Sequence, residues 1–568
     1  MVWRNAVACV AGLLLLVPAV QFAGFTTCAD ASSAVRPGAD LYVDDDAPGD
    51  PGPGDPLVSD PLEDGSPDHP FDAIQEAVDA AAPGSLVLVN DGTYSGEGNR
   101  DIVFGGKPLT LRSVNGPGAC IIDCESAAGG FRFEEDDGPD AVVEGLTVTN
   151  GFADYGGAIH CGLYSAPTIV GNVLQGNVAE RDGGAILVHY STGLVIEQNL
   201  ITGNEAGELG GGIFTMGSSV RIQDNIITDN WSLIRGGGIM GRYASTLTLV
   251  GNTISGNEST IGGGLYLDNS AGTLFNNLIT GNTAGGSGGA VFVLQYGLDM
   301  TNCTVTGNSA FNGGAIAGQN TTIEVYNSIL RDNTPNEIYT ITGGPPSIVY
   351  SNVQGGYTGS GNIDTDPLFV ADGEFGYCLS QVAAGQPVDS PCVDAGSGPA
   401  SNTCITLSDG DHCLDTRSTR TDNYIDLGTV DMGYHRLATS PVQANLVCFP
   451  ESGTLPFTGL MWMTMGSETE YMVRRLAGRI DVDLGGGGAI ANWRAGWTNL
   501  SPGGLFFQTW NQRFPALPSL VGENVFQFTV EDVTPPPYNQ PPYPPAGQTA
   551  TASCAVTGVS PSSSGPAR

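Results

Sequence analysis

Acidic and basic residues recur in three short loops whose spacing could bring them into one site. The loops read VAERDGG, EAGELGG and WSLIRGG, and they carry Glu180, Asp182, Glu208 and Arg235. If the chain stacks one repeat on the next, carboxylates there could hold Ca²⁺ and an arginine could act as a base, as polysaccharide cleavage requires. The alternative is a network of charged residues on a solvated turn. We favour this alternative, so the sequence predicts that the turn is not catalytic.

Histidine and cysteine give little sign of a metal site. His160 and His189 fall on different repeats at non-equivalent positions, so we predict that they do not share a site. No spacing of cysteines and histidines is typical of zinc. The sequence therefore predicts no cofactor, and calcium enters only if the acidic turn is a site.

A stripe of large apolar residues could form a binding surface. Each member follows an inward aliphatic residue by one position, so strand alternation would point it outwards. We predict that Phe214, Tyr266 and Phe292 contact a glycan or a protein partner, because a soluble protein rarely leaves such a stripe bare. The alternative, which is slightly favoured, is that a lateral loop or a C-terminal module covers the stripe.

These residues belong to a repeat with a step of 25 to 27 residues. A glycine pair followed by a small and an aliphatic residue begins at Gly156, Gly183, Gly210, Gly236, Gly262, Gly288 and Gly313. An asparagine closes a short apolar segment in the same register at Asn150, Asn177, Asn204, Asn230, Asn257, Asn282, Asn308 and Asn333. Two marks with one period predict a stacked array of coils.

Within each coil, apolar residues alternate as they do in strands. Stacking would place Ile159, Ile186, Ile213 and their equivalents in one buried apolar file. The asparagines would stack at a turn, where asparagine tolerates left-handed backbone and its amide can bond to the coils above and below. We therefore interpret the glycosylation-type triplets at Asn230 and Asn257 as structural.

A period near 26 with inward aliphatics and an asparagine turn resembles the right-handed parallel β-helix of the pectate-lyase-like superfamily. The resemblance covers residues 85–375. The GGA[I/V] and asparagine marks are similar to the repeats of chlamydial polymorphic outer-membrane proteins. The segments LYVDDDAP, NIDTDPLF, SPCVDAGS and DLGTVDMGYH look like those of uncharacterised secreted β-helix proteins of bacteria. The autotransporter barrel of the chlamydial family is missing, as are the NTD, GHG and RIK elements of polygalacturonases.

The chain divides into segments of different composition. HPFDAIQEAVDAAAPG predicts one amphipathic helix, with Phe71, Ile74, Val78 and Ala81 on one face, that covers the first coil. The predicted segments are 1–31, a signal peptide; 32–84, an acidic segment with the capping helix; 85–375, the β-helix; 376–440, a C-terminal cap and linker; 441–557, a β-sandwich-like module; and 558–568, a disordered tail. The fold class is all-β.

The signal peptide predicts a secreted or cell-surface protein, and no later stretch is apolar for long enough to span a membrane. An oxidising compartment allows disulfides, for which the candidate pairs are Cys378 with Cys392, Cys404 with Cys413, and Cys448 with Cys554. Cys303 stands where other repeats have asparagine, so we predict that it is a small buried residue that takes the place of the asparagine.

Charge limits the partners. The chain has 59 acidic and 20 basic residues and a net charge of −39, which disfavours nucleic acid and anionic membranes. The sequence favours a non-catalytic secreted or surface protein with a structural or adhesive role that binds a polysaccharide or a cell-surface protein along the solenoid. The alternative is a polysaccharide lyase or glycoside hydrolase that acts on acidic polysaccharide.

Overall fold

The computed structural model describes residues 40–45, 63–134, 137–370, 376–421, 425–426 and 428–437 with their side chains, and the backbone of seven further strands between residues 443 and 558. The predicted signal peptide lies outside the described residues. No helix in the described ranges is both long and apolar enough to cross a membrane.

Residues 41–353 form a parallel β-solenoid with four sheets. Sheet I contains Leu41–Val43, Leu86–Val89, Thr110–Ser113, Val142–Glu144, Thr168–Val170, Thr192–Glu197, Ser219–Gln223, Thr246–Val250, Ala271–Phe275, Gly297–Thr301, Thr322–Tyr326 and Ser347–Val349. Sheet II contains Gly92–Tyr94, Cys120–Asp123, Thr147–Thr149, Val173–Gln175, Leu200–Thr202, Ile226–Thr228, Thr253–Ser255, Leu278–Thr280, Thr304–Thr306, Ile329–Arg331 and Asn352–Val353.

Two further sheets complete the solenoid, and the lateral one is present in six coils. The lateral sheet contains Phe152–Tyr155, Val178–Asp182, Glu205–Ala206, Trp231–Ser232, Glu258–Ser259 and Thr283–Ala284. Sheet III contains Ile102–Val103, Phe131–Phe133, Ile159–Cys161, Ile186–His189, Ile213–Met216, Ile239–Arg242, Leu265–Asp268, Val291–Leu294, Ile316–Gln319 and Ile338–Thr342. In the six coils that contain a lateral strand, the chain runs through sheets I, II, lateral and III, so the glycine pair lies between the lateral sheet and sheet III.

The strand register confirms the predicted apolar file. Ile159 pairs with Ile186, and Ile186 pairs with Ile213, in parallel register. These residues are fully buried and belong to one core that extends from Val43 to Val353. Each coil buries the apolar edge of the next, which is why the array is stable although no single coil has a core of its own.

The asparagines form two buried ladders. From Asn204 to Asn333, each Asn Oδ1 accepts hydrogen bonds from the backbone N and the Nδ2 of its equivalent one coil earlier, beginning with the bonds from Asn177 to Asn204. Asn230 and Asn257 are members and are buried, so their interpretation as structural residues is confirmed. Asn150 is exposed and does not join, because Gly151 N donates to Asn177 Oδ1 in its place.

The second ladder runs through Asn172, Asn199, Asn225, Asn252 and Asn277 and continues to Cys303, whose Sγ lies 3.4 Å from Asn277 N. Cys303 is a buried substitute, as predicted. The predicted left-handed conformation of the ladder asparagines is wrong. The residue before each one is left-handed instead, for example Gly203 (φ 62°) and Asp229 (φ 56°), and this turn points the asparagine side chain inwards.

The glycine pair satisfies two separate requirements. Gly183 is left-handed (φ 72°), a conformation that glycine adopts at little cost. Gly184 packs so closely on the next coil that a Cβ there would overlap the carbonyl oxygen of Gly211. The glycine pair therefore lies at a sharp corner where adjacent coils contact each other through their backbones.

The predicted capping helix is present at Ile74–Ala80, with Ile74, Ala77 and Val78 buried. Lys107 Nζ donates to the carbonyl oxygens of Val78 and Asp79 near its end. The helix packs beside the first strands of the solenoid, and it is the one α-helix among the described residues.

A segment that we call the clamp, residues 376–437, lies along the corner between sheets I and II. It contains strands Cys378–Leu379, Cys404–Leu407, Gly410–Cys413, Arg417–Ser418 and Arg436–Leu437 and the short 3₁₀ turns Val382–Ala384, Ala400–Asn402 and Leu414–Thr416; Phe369–Val370 pairs with the first of these strands.

Three contacts fix the clamp to three different coils. Arg417 Nη2 lies 2.9 Å from Asp224 Oδ1 in a buried ion pair. Asn276 accepts from the backbone N of His435 and donates to its carbonyl oxygen, each over 2.6 Å. Asn302 Nδ2 donates to the carbonyl oxygen of Asp431 over 2.8 Å.

The disulfide candidates have different outcomes. Cys404 and Cys413 are joined across a hairpin, as predicted. The predicted bridge between Cys378 and Cys392 is not formed. Leu379 packs in one apolar cluster with Cys392, and strand alternation turns Cys378 to the opposite side, while Cys392 Sγ accepts a hydrogen bond from Asn352 Nδ2. The side chains of Cys448 and Cys554 lie outside the described residues.

The C-terminal strands form two antiparallel sheets. One contains Gln443–Pro450, Phe457–Thr469 and Gly504–Leu517, and the other contains Gly488–Leu500, Arg474–Leu484, Gly522–Asp532 and Thr549–Gly558. Two antiparallel sheets are the arrangement that a β-sandwich-like module requires.

Candidate functional site

The predicted aromatic contact surface is buried. Phe214, Tyr266 and Phe292 point outwards from sheet III, yet their exposed fractions are 1%, 2% and 4%. Leu209 and Ile261, which precede the glycine pairs, pack over them in a separate apolar cluster. The prediction that these three side chains contact a ligand is therefore wrong, and the alternative of a covering lateral loop is confirmed. The left-handed first glycine folds the lateral segment back onto sheet III.

The four charged residues of the predicted turn do not converge on one point. Glu180 is exposed to solvent. Glu208 pairs with Arg181, with 3.2 Å between Oε1 and Nε. Arg235 reaches across the coils to Asp268 instead, with 3.9 Å between the charged atoms.

Asp182 has an environment of its own beneath this surface. Its side chain is buried, and within the described part of the chain its Oδ1 has no hydrogen-bond partner. Burial, assisted by the nearby Glu208, raises the pKa of Asp182 to about 6, although Arg181 and Arg242 oppose the shift. A carboxyl with this pKa can exchange a proton near neutral pH.

The two histidines lie side by side, contrary to the sequence interpretation. The ring centroids of His160 and His189 are 6.3 Å apart, and that of Tyr155 lies 6.3 Å from His189. His160 is the second residue of its strand and His189 is the fourth residue of the next strand. These two positions are diagonal neighbours on one face of the sheet, whereas the sequence analysis compared only equivalent positions. Burial lowers the pKa of both rings, which favours their neutral form.

Charged and aromatic residues connect this group with the lateral segment. Arg181 Nη1 lies 2.5 Å from Tyr155 Oη, and its guanidinium lies over the tyrosine ring. On later coils, Arg242 contacts Asp268 over 3.5 Å and lies 4.3 Å from the ring centroid of Tyr243. We call the outer side of sheet III that carries His189, Arg242 and Asp268 the sheet III face.

A file of exposed tyrosines borders the sheet III face at the turn towards sheet I. Its members are Tyr164, Tyr190, Tyr243 and Tyr296, with exposed fractions between 43% and 64%. All four are in the left-handed region, with φ between 48° and 65°. The coil between Tyr190 and Tyr243 has Gly217 at the equivalent place, and a Cβ there would come within 2.6 Å of the Tyr190 ring. The Tyr190 ring therefore packs over Gly217.

Sequence reasoning missed this file. Its signal is a tyrosine four or five residues after the inward aliphatic, as at Ile186 and Tyr190 or Ile239 and Tyr243. The signal is weak because some coils have glycine or asparagine in place of tyrosine, as at Gly217 and Asn269.

Comparison with known families identifies the solenoid. The family described as "Right handed beta helix region" matches residues 157–330. The solenoid is a right-handed parallel β-helix. Among solved structures, this β-helix chain is similar to pectate lyase Pel9A, with 16% identity and a TM-score of 0.35 over 70% of this chain and 96% of that chain.

A second solved structure is similar to the β-helix chain at lower identity. It is the enzymatically active domain of bacteriophage CBA120 tailspike protein 4, with 9% identity and a TM-score of 0.21 over 84% of this chain and 62% of that chain. No curated protein matches the chain.

One group in the described part of the β-helix chain has the spacing of a metal site. Carboxylate oxygens of Glu63, Asp72 and Glu76, beside the capping helix, lie within 4.8 Å of one another. Burial first, and then a hydrogen bond with Asp72, raises the pKa of Glu76 to about 7. These three residues could present oxygen ligands to a hard cation such as Ca²⁺, whereas the predicted turn at Glu180 and Asp182 does not form such a group.

Proposed function

We propose that this β-helix protein binds a polysaccharide chain along the sheet III face and does not cleave it. The observation that carries the proposal is the file of exposed tyrosines beside that face. Flat aromatic rings are suitable platforms for the apolar faces of sugar rings, and coils about 4.8 Å apart place Tyr190 and Tyr243 roughly 10 Å from each other. This spacing is close to the length of a disaccharide in an extended chain.

The backbone conformation supports a use for these tyrosines. A non-glycine residue in the left-handed region costs roughly 1 kcal/mol, and here 43% to 64% of each tyrosine remains exposed to solvent. Gly217 and Asn269, which adopt left-handed backbone more readily than tyrosine does, occupy the same turn in other coils. The fold itself therefore does not require tyrosine at this position. Strain at an exposed aromatic residue is accounted for if the residue contacts a ligand.

Charge favours a neutral polysaccharide. The net charge of −39 repels uronic-acid and sulfated chains at low ionic strength. Arg242 is already engaged with Asp268 and the Tyr243 ring, so it is not a free cation for an acidic sugar.

The test is replacement of all four tyrosines with asparagine, which suits left-handed backbone. We expect affinity for neutral polysaccharides to fall at least tenfold, since each lost aromatic contact is worth about 1 kcal/mol, with no loss in melting temperature. Phe311→Asn, at an exposed phenylalanine outside the file, is the control. Unchanged binding by the four-fold variant, measured by affinity electrophoresis, would contradict the proposal.

A second function, cleavage of the bound chain, is favoured by one observation. Asp182 combines burial, an unpartnered oxygen and a pKa of about 6, which are properties of a general acid or base. Incubation with neutral and acidic polysaccharides, followed by assay of reducing and unsaturated ends, tests it. Product formed by the native protein and absent with Asp182→Asn would establish an enzyme and overturn the non-catalytic assignment.

We also propose secretion, which rests on the N-terminal apolar segment of the sequence. Recovery of the protein from the medium with a new N-terminus near residue 32 would support it, and retention of the full N-terminus in the cell would contradict it.

A further inference from the structure

The C-terminal end of the β-helix contains a cavity of about 330 Å³. It lies between the last strand of sheet III, Ile338–Thr342, and the segment that follows the last strand of sheet II. Ile338, Val353 and Tyr357 form an apolar part of its wall. Val353 belongs to the continuous core, and the other two pack against it.

A buried carboxylate forms the floor of this cavity. Glu337 is 7% exposed, and it ends the asparagine ladder: Oε1 accepts from Asn333 N over 3.3 Å and Oε2 accepts from Asn333 Nδ2 over 2.6 Å. A carboxylate has about four acceptor positions, so the ladder leaves capacity for a ligand.

Two amide groups add hydrogen-bond donors. Asn336 Oδ1 accepts from Gly313 N over 2.9 Å, and Gln354 Oε1 accepts from Asp332 N over 2.5 Å. These contacts orient both amides. Among the residues that the structure describes, neither NH₂ group donates to the protein, and both side chains line the cavity.

We propose that this cavity binds one or two neutral pyranose units. Sugar hydroxyls need acceptors and donors together, which Glu337, Asn336 and Gln354 supply, and the apolar face of a sugar ring fits Tyr357 and Val353. Burial raises the pKa of Glu337 to about 7, so the carboxylate that forms above this pH would repel an anion, while a cation would have no use for two NH₂ donors. The volume is at the lower end of small-molecule sites, which limits the ligand to this size.

The site is separate from the sheet III face, so the two proposals fail independently. The probes are methyl glycosides of glucose, galactose, mannose and xylose, titrated into the full-length protein and followed by saturation-transfer NMR. We expect at least one glycoside to bind, and the four-fold tyrosine variant to bind it unchanged. Absence of binding by every glycoside would overturn the proposal.

Two kinds of variant locate the bound sugar. Asn336→Asp and Gln354→Glu keep the oxygen that accepts the backbone hydrogen bond and remove the NH₂ group, so each should weaken binding about tenfold. Thr340→Trp should abolish binding because it fills the cavity. Gln175→Glu, on an exposed position of sheet II, is the matched control. Each variant must keep the native melting temperature, and unchanged affinity in all three cavity variants would refute the site.

A competition experiment shows whether the ligand is a free sugar or the end of a polysaccharide chain. A polymer of the same sugar is added to the bound methyl glycoside at an equal concentration of chain ends. Competition by the polymer indicates that the cavity holds the end of a chain. Binding of the methyl glycoside alone indicates a free sugar, and either result supports the cavity as a sugar site.

Discussion

Each asparagine of the buried ladder connects three successive coils. Asn230 Oδ1 accepts from the N and Nδ2 of Asn204, while its own Nδ2 donates to Asn257 Oδ1 and to the carbonyl oxygen of Ile201, all within 3.1 Å. A single side chain therefore satisfies polar groups that water cannot reach.

We predict that Asn230→Ala lowers the free energy of unfolding by about 3 kcal/mol, because several buried donors and acceptors lose their partners. Denaturant titration measures the effect. Asn115→Ala, which removes one exposed hydrogen bond to Asp91, should cost less than 1 kcal/mol. Equal effects of the two changes would show that the ladder asparagines contribute no more than surface residues.

Asp182 should make stability depend on pH. Its folded-state pKa is raised from 3.8 to about 6, so the carboxyl favours the folded state when protonated, and this contribution is lost as pH rises through 6. At pH 8, Asp182→Asn should therefore be more stable than the native protein by about 1 to 2 kcal/mol, with solvent screening taken into account. Near pH 4 the two should be nearly equal. Melting curves at pH 4 and 8 check this, and a constant difference would contradict it.

At the scale of the element, the closest contact between coils is at the second glycine of each pair. We predict that Gly184→Ala costs at least 3 kcal/mol, because its Cβ would overlap backbone of the next coil, which cannot move away without distorting its own strand. Gly118→Ala is the control, since a Cβ at Gly118 meets open space. The comparison is made by thermal unfolding, and a small effect at Gly184 would mean that coils can separate locally.

The repeat made the strands, the apolar file and the Asn230 ladder predictable, because each depends on residues that recur at one period. The covering of Phe214 was not predictable from alternation. Alternation fixes which side of a strand a side chain is on, but the path of the lateral segment depends on a left-handed turn at Gly210. The neighbouring histidines were missed for a related reason, since their contact crosses between coils at non-equivalent positions. The tyrosine file was missed because only some coils have a tyrosine at that turn.

At the scale of the whole molecule, the clamp contacts three coils, of which the second lies two coils after the first and the third lies one coil further. Asp224, Asn276 and Asn302 receive Arg417, His435 and Asp431 in turn. The clamp can therefore make all three contacts only if the number of coils between Asp224 and Asn302 is unchanged.

This match can be tested by removal of one coil. Deletion of residues 236–261 joins Arg235 to Gly262 and continues the repeat, but it brings Asp224 one coil nearer to Asn276. We expect the clamp to detach, with faster hydrogen exchange in residues 376–437. Deletion of residues 156–182 removes a coil outside the clamped region and should leave exchange in the clamp unchanged. Equal protection in both variants would show that the clamp does not depend on coil number.

The clamp also bears on how such a gene can change. Repeats that share one register can be gained or lost as whole coils by recombination within the gene, and the solenoid alone would accept either product. Because the clamp spans a set number of coils, a gain or loss within that span would leave Arg417 opposite the wrong coil and expose the corner that it now covers. We therefore expect changes in repeat number to be tolerated in the coils before Asp224, where the β-helix could lengthen without a change in the clamp.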